Sequence, residues 1–100
     1  MRTYRFGPKG ASDLAEVFDY TVDTWGERQA EKYIGELSQC FQLLADSPRM
    51  GRACDLISPG IRRFEQGRHV IFYRPEKGDI LIARILHQSR LPTRRHFMDA

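Results

Sequence analysis

The chain has 100 residues, of which 41% are hydrophobic and 29% are charged, and its formal net charge is +3. This length favours a single domain, and this balance is typical of a globular domain rather than a disordered chain. No apolar run approaches the roughly 20 residues that a membrane-spanning helix needs. Residues 1–6 contain no apolar signal segment, so we expect a cytoplasmic protein with no membrane association.

The two cysteines, Cys40 and Cys54, do not indicate a metal site. No CxxC motif and no Cys/His ligand spacing accompanies them, so a zinc site is not expected. Thiols in a cytoplasmic protein are usually reduced. We therefore expect two free thiols, no metal and no cofactor.

The charge is distributed unevenly along the chain. Residues 1–50 contain six basic and eight acidic residues, a net charge of −2, whereas residues 51–100 contain ten and five, a net charge of +5. Lys77 is the only lysine of this basic half. Because a guanidinium binds carboxylates and phosphates in a bidentate manner, the second half favours an acidic partner or nucleic acid. Charge alone does not choose between them.

The first 26 residues predict a strand followed by a helix. Arg2 to Phe6 alternates apolar and basic residues, which indicates a half-buried strand, and Gly7-Pro8 ends it. From Lys9 to Trp25 the apolar residues step by three and four, and Gly26 can end the helix. The expected buried stripe consists of Leu14, Val17, Phe18, Thr21 and Trp25. The acidic residues beside it, Asp13, Glu16 and Asp19, are expected to face solvent.

A second helix is predicted from Glu27 to Asp46. Its Ser47-Pro48 end fits the rule that a residue before proline avoids the helical conformation. The connection between the two helices is short, so they should form an antiparallel helical hairpin. The buried face is expected to contain Ala30, Tyr33, Ile34, Leu37, Phe41 and Leu44, with Cys40 beside them.

The second half of the chain predicts a loop and three strands. Arg49 to Gly60 has little periodicity and is interpreted as a surface loop. The strand signals are Ile61 to Phe64, His69 to Arg74 and Ile80 to His87, with turn residues between them. The predicted order is β-α-α-β-β-β: a single α+β domain over residues 1–100, in which the helical hairpin packs on a small, mostly antiparallel sheet and a basic tail begins at about residue 90.

The order of these elements and several short motifs resemble ParE-type toxins of the ParE/RelE superfamily. The resemblance extends from Tyr4 to about His96. The matching stretches are Asp19-Tyr20-Thr21, Trp25-Gly26, Leu43-Leu44-Ala45, Ser47-Pro48-Arg49-Met50-Gly51-Arg52, Pro59-Gly60-Ile61-Arg62-Arg63-Phe64, Gly67, His69-Val70-Ile71-Phe72-Tyr73-Arg74 and Ile82 to Gln88.

The resemblance implies the toxin of a bacterial type II toxin–antitoxin system, active in plasmid or chromosome maintenance. Such toxins are encoded beside a ParD-like antitoxin, which has a ribbon-helix-helix DNA-binding part and a flexible acidic segment. The ParE branch is associated with inhibition of DNA gyrase, and contact with DNA is then indirect, through the antitoxin or gyrase. The RelE branch uses the same fold for ribosome-dependent mRNA cleavage, so the fold alone does not decide the function. A decayed toxin that only binds a partner is a third possibility.

An mRNA endoribonuclease would need a base, an acid and cations around the cleaved phosphate. RelE-like members supply these from sheet lysines and arginines and from a tyrosine or histidine near the C-terminus. In this chain no tyrosine follows Tyr73, and the loop before the second strand has no lysine. His96 is the best candidate base, because an unperturbed imidazole titrates near neutrality, and Arg90 and Arg94 would assist it. We therefore expect a protein that acts by binding rather than by catalysis. His69 and His87, flanked by apolar residues, are expected to be structural.

Two sets of residues are candidates for binding partners. Tyr20 and Trp25 close the first helix, where large aromatics usually belong to the core, but they could instead line a groove for an antitoxin helix. Arg62, Arg63, Arg68 and Arg74 lie on or beside strands, either as ordinary solvent-facing residues or as a surface for the acidic antitoxin segment. The residues assigned to antitoxin binding are Tyr20, Trp25, Arg62, Arg63 and Arg74.

The C-terminal segment is the candidate target-binding surface. Arg90, Arg94, Arg95 and Phe97 are assigned to it, and the alternative is a disordered basic end. Leu91 and Phe97 could tether this segment to the core.

Overall fold

The structure, a computed structural model, describes residues 2–98. The helices are α1 (Pro8–Trp25) and α2 (Glu27–Asp46), and the strands are β1 (Thr3–Phe6), β2 (Arg52–Ala53), β3 (Arg62–Gln66), β4 (His69–Glu76) and β5 (Asp79–His87), followed by a 3-10 helix, Arg94–Phe97. The predicted helices and strands are confirmed to within two residues at each end. Within the described range, no helix is long and apolar enough to cross a membrane.

The five strands form one sheet in the order β1-β5-β4-β3-β2. β1 pairs with β5 in parallel, and all other neighbours are antiparallel, which confirms the α+β class and the mostly antiparallel sheet. The segment Arg49 to Gly60, interpreted from sequence as a loop, contains β2 at the sheet edge. Two residues are too few to show an alternating pattern, which is why the sequence did not indicate this strand.

The helical hairpin covers one face of the sheet and forms the main core there. Leu37, Phe41 and Leu44 of α2 are fully buried against strand residues that include Ile71 and Ile82. A Cβ at Gly10 would lie 2.3 Å from the carbonyl oxygen of Ile82. Glycine at this position therefore lets α1 approach the backbone of β5.

A second, smaller core lies on the opposite face of the sheet. Val70, Phe72, Ala83 and Leu86 alternate with the residues of the main core and so point away from the helices. Phe97 covers this face with only 5% of its surface exposed, and its ring lies 5.2 Å from that of Phe72. The C-terminal segment is therefore attached to the sheet through Phe97. Leu91, 84% exposed, does not anchor it.

Asp13 corrects the prediction that the acidic residues of the first helix face solvent. β1 ends opposite Ile82, so the later part of β5 has no strand on that side. Asp13 is 6% exposed, and its Oδ2 accepts the backbone N–H of Ile85 at 2.9 Å. Its carboxylate also accepts Arg84 Nε at 2.7 Å and Nη2 at 2.9 Å. Asp13 thus takes the place of a neighbouring strand, while Glu16 and Asp19 are exposed as expected.

Candidate functional site

The structure forms a pocket where the helical hairpin turns, which we call the hairpin pocket. Its volume is about 370 Å³. The end of α1, the start of α2, the β3–β4 turn and the facing ends of β4 and β5 enclose it. The lining residues are Tyr20, Thr21, Trp25, Gln29, Lys32, Tyr33, Glu36, Gly67, Arg68, His69 and His87. Aromatic rings, two basic side chains and two histidines therefore line the same opening.

Tyr20 and Trp25 are not core residues. They are 63% and 56% exposed and belong to the lining of the hairpin pocket. The interpretation of these rings as core, and of Trp25 as part of the buried stripe of the first helix, is therefore wrong. The guanidinium of Arg68 lies 5.3 Å from the centre of the Trp25 ring, within the range of a cation–π contact.

The hydroxyl of Tyr33 joins α2 to the β3–β4 turn. It accepts the backbone N–H of Arg68 at 3.1 Å and lies 2.7 Å from His69 Nδ1 and 3.2 Å from the carbonyl oxygen of Gln66. Burial raises the pKa of Tyr33, opposed in part by the hydrogen bond from Arg68. The hydroxyl therefore keeps its proton at neutral pH and can donate it either to His69 or to Gln66.

His69 and His87 face each other across β4 and β5, with ring centres 5.5 Å apart. Burial lowers the pKa of His69, and His87 and Arg68 lower it further, so the ring is neutral at pH 7. His87 Nδ1 accepts the backbone N–H of Ser89 at 3.1 Å, which places the proton of a neutral His87 ring on Nε2. The structural role expected of both histidines stays a prediction, and both rings line the hairpin pocket.

The sheet arginines do not form one surface. Arg62 donates to the carbonyl oxygen of Gly51 from Nε at 2.9 Å and to that of Arg49 at 3.2 Å. Tyr73 fixes the same loop from the core, since its hydroxyl donates to the Pro48 carbonyl at 2.6 Å. Arg62 is therefore largely engaged in holding the segment after α2. Neither interpretation made from sequence, a free solvent-facing residue or a binding residue, included this structural role.

Arg63 and Arg74 lie on the face opposite the helices. The guanidinium of Arg63 lies 5.7 Å from the centre of the Phe72 ring. Arg63 Nε is buried and has no hydrogen-bond partner within residues 2–98. Arg74 is half-buried, next to Gly60 of the loop that covers the same face. Tyr20 and Trp25 belong to the hairpin pocket instead, so the five residues assigned to antitoxin binding are divided among separate regions.

The C-terminal candidates are held close to the end of β5. Arg84, already paired with Asp13, also donates from Nη1 to the carbonyl oxygen of His96 at 3.2 Å. His96 Nδ1 accepts the backbone N–H of Thr93 at 3.0 Å. Desolvation, followed by the charges of Arg84 and Arg90, lowers the pKa of His96. The segment therefore has a defined conformation rather than the disorder weighed as an alternative.

Among the four residues assigned to target binding, the arginines and Phe97 differ in placement. Arg90, Arg94 and Arg95 are exposed. Phe97 is buried on the sheet, where it acts as the tether that was also expected of it. A direct target contact by Phe97 stays a prediction and would require this segment to leave the sheet. Within residues 2–98, no group of three or more metal-ligating side chains is close enough to hold an ion.

Sequence reasoning did not assign Tyr33, His69 or His87 to a site, and it weighed Arg68 only as part of a basic surface on the strands. Tyr33 was placed on the buried face of its helix and the histidines among structural residues. One sequence feature did point to this site: two histidines and an arginine lie at the ends of three consecutive predicted strands. That signal needed the strand register before it pointed to a pocket.

Comparison with known proteins shows the family. A family model described as "ParE toxin of type II toxin-antitoxin system, parDE" matches residues 4–92. The chain is 44% identical over 86 residues to Toxin ParE1 of Mycobacterium tuberculosis, covering 85% of this chain and 88% of that protein. It is 36% identical over 89 residues to Toxin ParE1 of Caulobacter vibrioides, covering 89% and 92%.

A solved structure of a toxin–antitoxin protein, described as "Chromosomal ParDE TA system from P. aeruginosa", has the same fold. The TM-score is 0.72 at 24% sequence identity, and the alignment covers 87% of this chain and 96% of the other. At this identity the similarity supports the fold alone. Taken with the family match over most of its length, the chain belongs to the ParE toxin family of type II toxin–antitoxin systems.

Proposed function

We propose that this protein is a toxin that inhibits DNA gyrase by binding it, without catalysing a reaction, and that a ParD-like antitoxin holds it inactive. The observation on which this rests is the family match over residues 4–92, together with relatives named as ParE toxins. Gyrase and the antitoxin would meet the protein in the cytoplasm. Contact with DNA would then be indirect, through one of these two proteins.

The placement of polar groups supports an inhibitor rather than an enzyme. Arg84, the best-buried cation near the C-terminal segment, is already bound by Asp13 at 2.7 Å. His96, the candidate base, uses Nδ1 to accept the backbone of Thr93. A general base must reach the proton that it removes and a stabilising cation must reach the developing charge. In this structure the Arg84 guanidinium and the His96 ring nitrogen are both used in contacts within the protein, which leaves neither directed at a substrate.

The basic surfaces support an acidic antitoxin. Arg63 and Arg74 place two positive charges on one face of the sheet, and Arg63 Nη2 lies 3.4 Å from the carboxylate of Glu65. Further carboxylates from an acidic partner would complement the charge of this face. The antitoxin-binding candidates lie in separate regions, with Arg63 and Arg74 on one sheet face and the aromatic rings at the hairpin pocket. An antitoxin segment that contacts both regions would have to be long enough to reach from one to the other. Such wrapping is typical of chains that fold on binding.

One observation favours the alternative, a RelE-like ribosome-dependent mRNA endoribonuclease. The lowered pKa of His96 beside Arg84 and Arg90 leaves a neutral imidazole among cations, which is the protonation state that a general base needs. Arg94 would complete the set. If this were the active site, His96→Gln would abolish toxicity while the protein remained folded. The binding function predicts that His96→Gln and His87→Gln both keep toxicity.

Controlled expression in bacteria tests the proposed function. Inhibition of gyrase predicts filamentous cells and a DNA-damage response, since trapped gyrase–DNA complexes break the chromosome. The measurements are reporter induction by DNA damage and the rates of DNA and protein synthesis after induction. Rapid arrest of translation with intact DNA, and loss of that arrest in His96→Gln, would establish the endoribonuclease instead.

A further inference from the structure

The hairpin pocket combines two surfaces with different chemistry. Tyr20 and Trp25 offer large, exposed aromatic faces, which are favourable positions for burying an apolar side chain. Lys32 and Arg68 add two positive charges to the lining and Glu36 one negative charge. The net charge of the lining is therefore positive even while both histidines are neutral, and it suits a ligand that has an apolar group beside an anion.

His69 can accept a proton and still keep its hydrogen bond with the Tyr33 hydroxyl. Its Nδ1 lies 2.7 Å from the Tyr33 hydroxyl, which has a second acceptor in the carbonyl oxygen of Gln66 at 3.2 Å. When His69 is neutral, the hydroxyl can donate to Nδ1. When His69 is protonated, the hydroxyl can turn its proton to Gln66 and accept from Nδ1 instead. His87 Nδ1 instead accepts the backbone N–H of Ser89, whose direction is fixed, and also lies 2.8 Å from the Ser89 hydroxyl.

We propose that the hairpin pocket binds an antitoxin segment in which a bulky apolar side chain stands beside a carboxylate, and that His69 takes up a proton as the carboxylate enters. The apolar side chain packs on Trp25 and Tyr20, and the carboxylate lies between Arg68 and His69. This inference rests on the proposed function, because the occupant is the antitoxin. It adds the location of one anchor, its chemistry and a linked protonation.

The direction of the pH dependence follows from the groups around His69. In the free protein the titratable and charged groups that line the same pocket are Lys32, Tyr33 and Glu36 of α2, Arg68 of the turn and His87 of β5. Burial, His87 and Arg68 hold the pKa of His69 below the ordinary value. An incoming carboxylate favours the protonated ring and raises the pKa in the complex. Binding therefore consumes a proton, and affinity increases as the pH falls between the two pKa values.

Titration calorimetry with the purified antitoxin tests the proposal at pH 7.5 and 6.0, in two buffers of different ionisation enthalpy. We expect wild-type affinity to be about three- to tenfold higher at pH 6.0, with net proton uptake, since one linked proton changes affinity by at most tenfold per pH unit. His69→Gln keeps a partner for Tyr33 but cannot titrate, and should reduce the pH effect to less than about twofold. Trp25→Ala should weaken binding at least tenfold at both pH values.

Leu43→Ala is the matched control, because Leu43 is an exposed apolar residue in the last turn of α2 and lines neither the hairpin pocket nor the arginine face of the sheet. It should bind as the wild type does at both pH values. If the antitoxin binds but Trp25→Ala and His69→Gln behave like this control, the pocket assignment is wrong while the proposed function stands. If Trp25→Ala weakens binding and His69→Gln keeps the full pH effect, the proton uptake at His69 is wrong. An antitoxin that does not bind the wild type contradicts both the inference and the antitoxin part of the proposed function.

Discussion

Asp13 and Arg84 form an ion pair that joins α1 to the end of β5, with 8% and 12% of their side chains exposed. The carboxylate receives two hydrogen bonds from Arg84 and one from the backbone of Ile85. The Asp13 hydrogen bond is the main cause of the raised pKa of Arg84, so the guanidinium stays charged. Replacing such a pair as a unit can be neutral, whereas removing one member leaves a buried charge without a partner.

Asp13→Ala should therefore lower the free energy of unfolding by about 3–5 kcal/mol, the usual cost of breaking a buried pair. For a domain of this size this is a large part of the total stability, typically about 5–15 kcal/mol. Urea denaturation followed by circular dichroism measures the change. Asp19→Ala, an exposed acidic position of the same helix, is the control and should change stability by about 0.5 kcal/mol or less. Equal effects of the two variants would mean that the ion pair contributes nothing.

The sequence predicted a basic second half of the chain but not the role of each arginine, for a physical reason. Residue type fixes the charge of Arg62 and Arg84, but the hydrogen-bond partners come from Gly51, 11 residues away, and from Asp13, 71 residues away. Hydropathy along the chain contains no information on such pairs. Asp13 was assigned to solvent because acidic residues beside an apolar stripe are usually exposed.

At the scale of elements, the helices and the three longer strands followed from periodicity, whereas the relative placement of strands did not. β4 and β5 are joined by the Lys77-Gly78 turn, and up to Tyr73 and Ile82 they pair in regular register. A bulge then shifts the register at Phe72, which pairs with Arg84. Without this extra residue His69 would face Leu86, and the two histidines would not meet. The pocket therefore depends on one irregularity that sequence pattern does not reveal.

The exposed arginines of the C-terminal segment and those of the sheet should separate in function. We expect Arg94→Ala and Arg95→Ala to reduce toxicity more than antitoxin binding, because Phe97 and Arg84 hold this segment in one conformation at the surface. Arg63→Ala or Arg74→Ala should weaken antitoxin binding at least tenfold, about 1.4 kcal/mol. Growth assays and titration calorimetry measure the two properties.

Arg62→Ala requires a stability measurement beside the binding measurement, since Arg62 holds the Arg49–Gly51 loop. Lys77→Ala, in the exposed β4–β5 turn, is the charge-matched control for both assays. If the C-terminal arginines govern antitoxin affinity and the sheet arginines do not, the two basic surfaces have been assigned in reverse.

At the scale of the whole molecule, two cores on opposite faces of one five-stranded sheet support distinct exposed regions. The helical face ends at the hairpin pocket, and the opposite face presents Arg63, Arg74 and the C-terminal segment. The arginines proposed for the antitoxin and the segment proposed for the target therefore share one sheet face, whereas the hairpin pocket lies elsewhere. Inactivation would then require the bound antitoxin to cover the C-terminal segment or to prevent its approach to gyrase.

Supercoiling by purified DNA gyrase in the presence of this protein tests the central claim most directly. We predict that the protein inhibits supercoiling, that cleaved DNA accumulates after denaturation of gyrase, and that prior addition of the antitoxin prevents both effects. His96→Gln should inhibit as the wild type does, since no proton transfer is required. Two results together would contradict the account. Gyrase would supercoil DNA normally at a saturating concentration of this protein, and the protein would cut ribosome-bound mRNA in a parallel translation reaction.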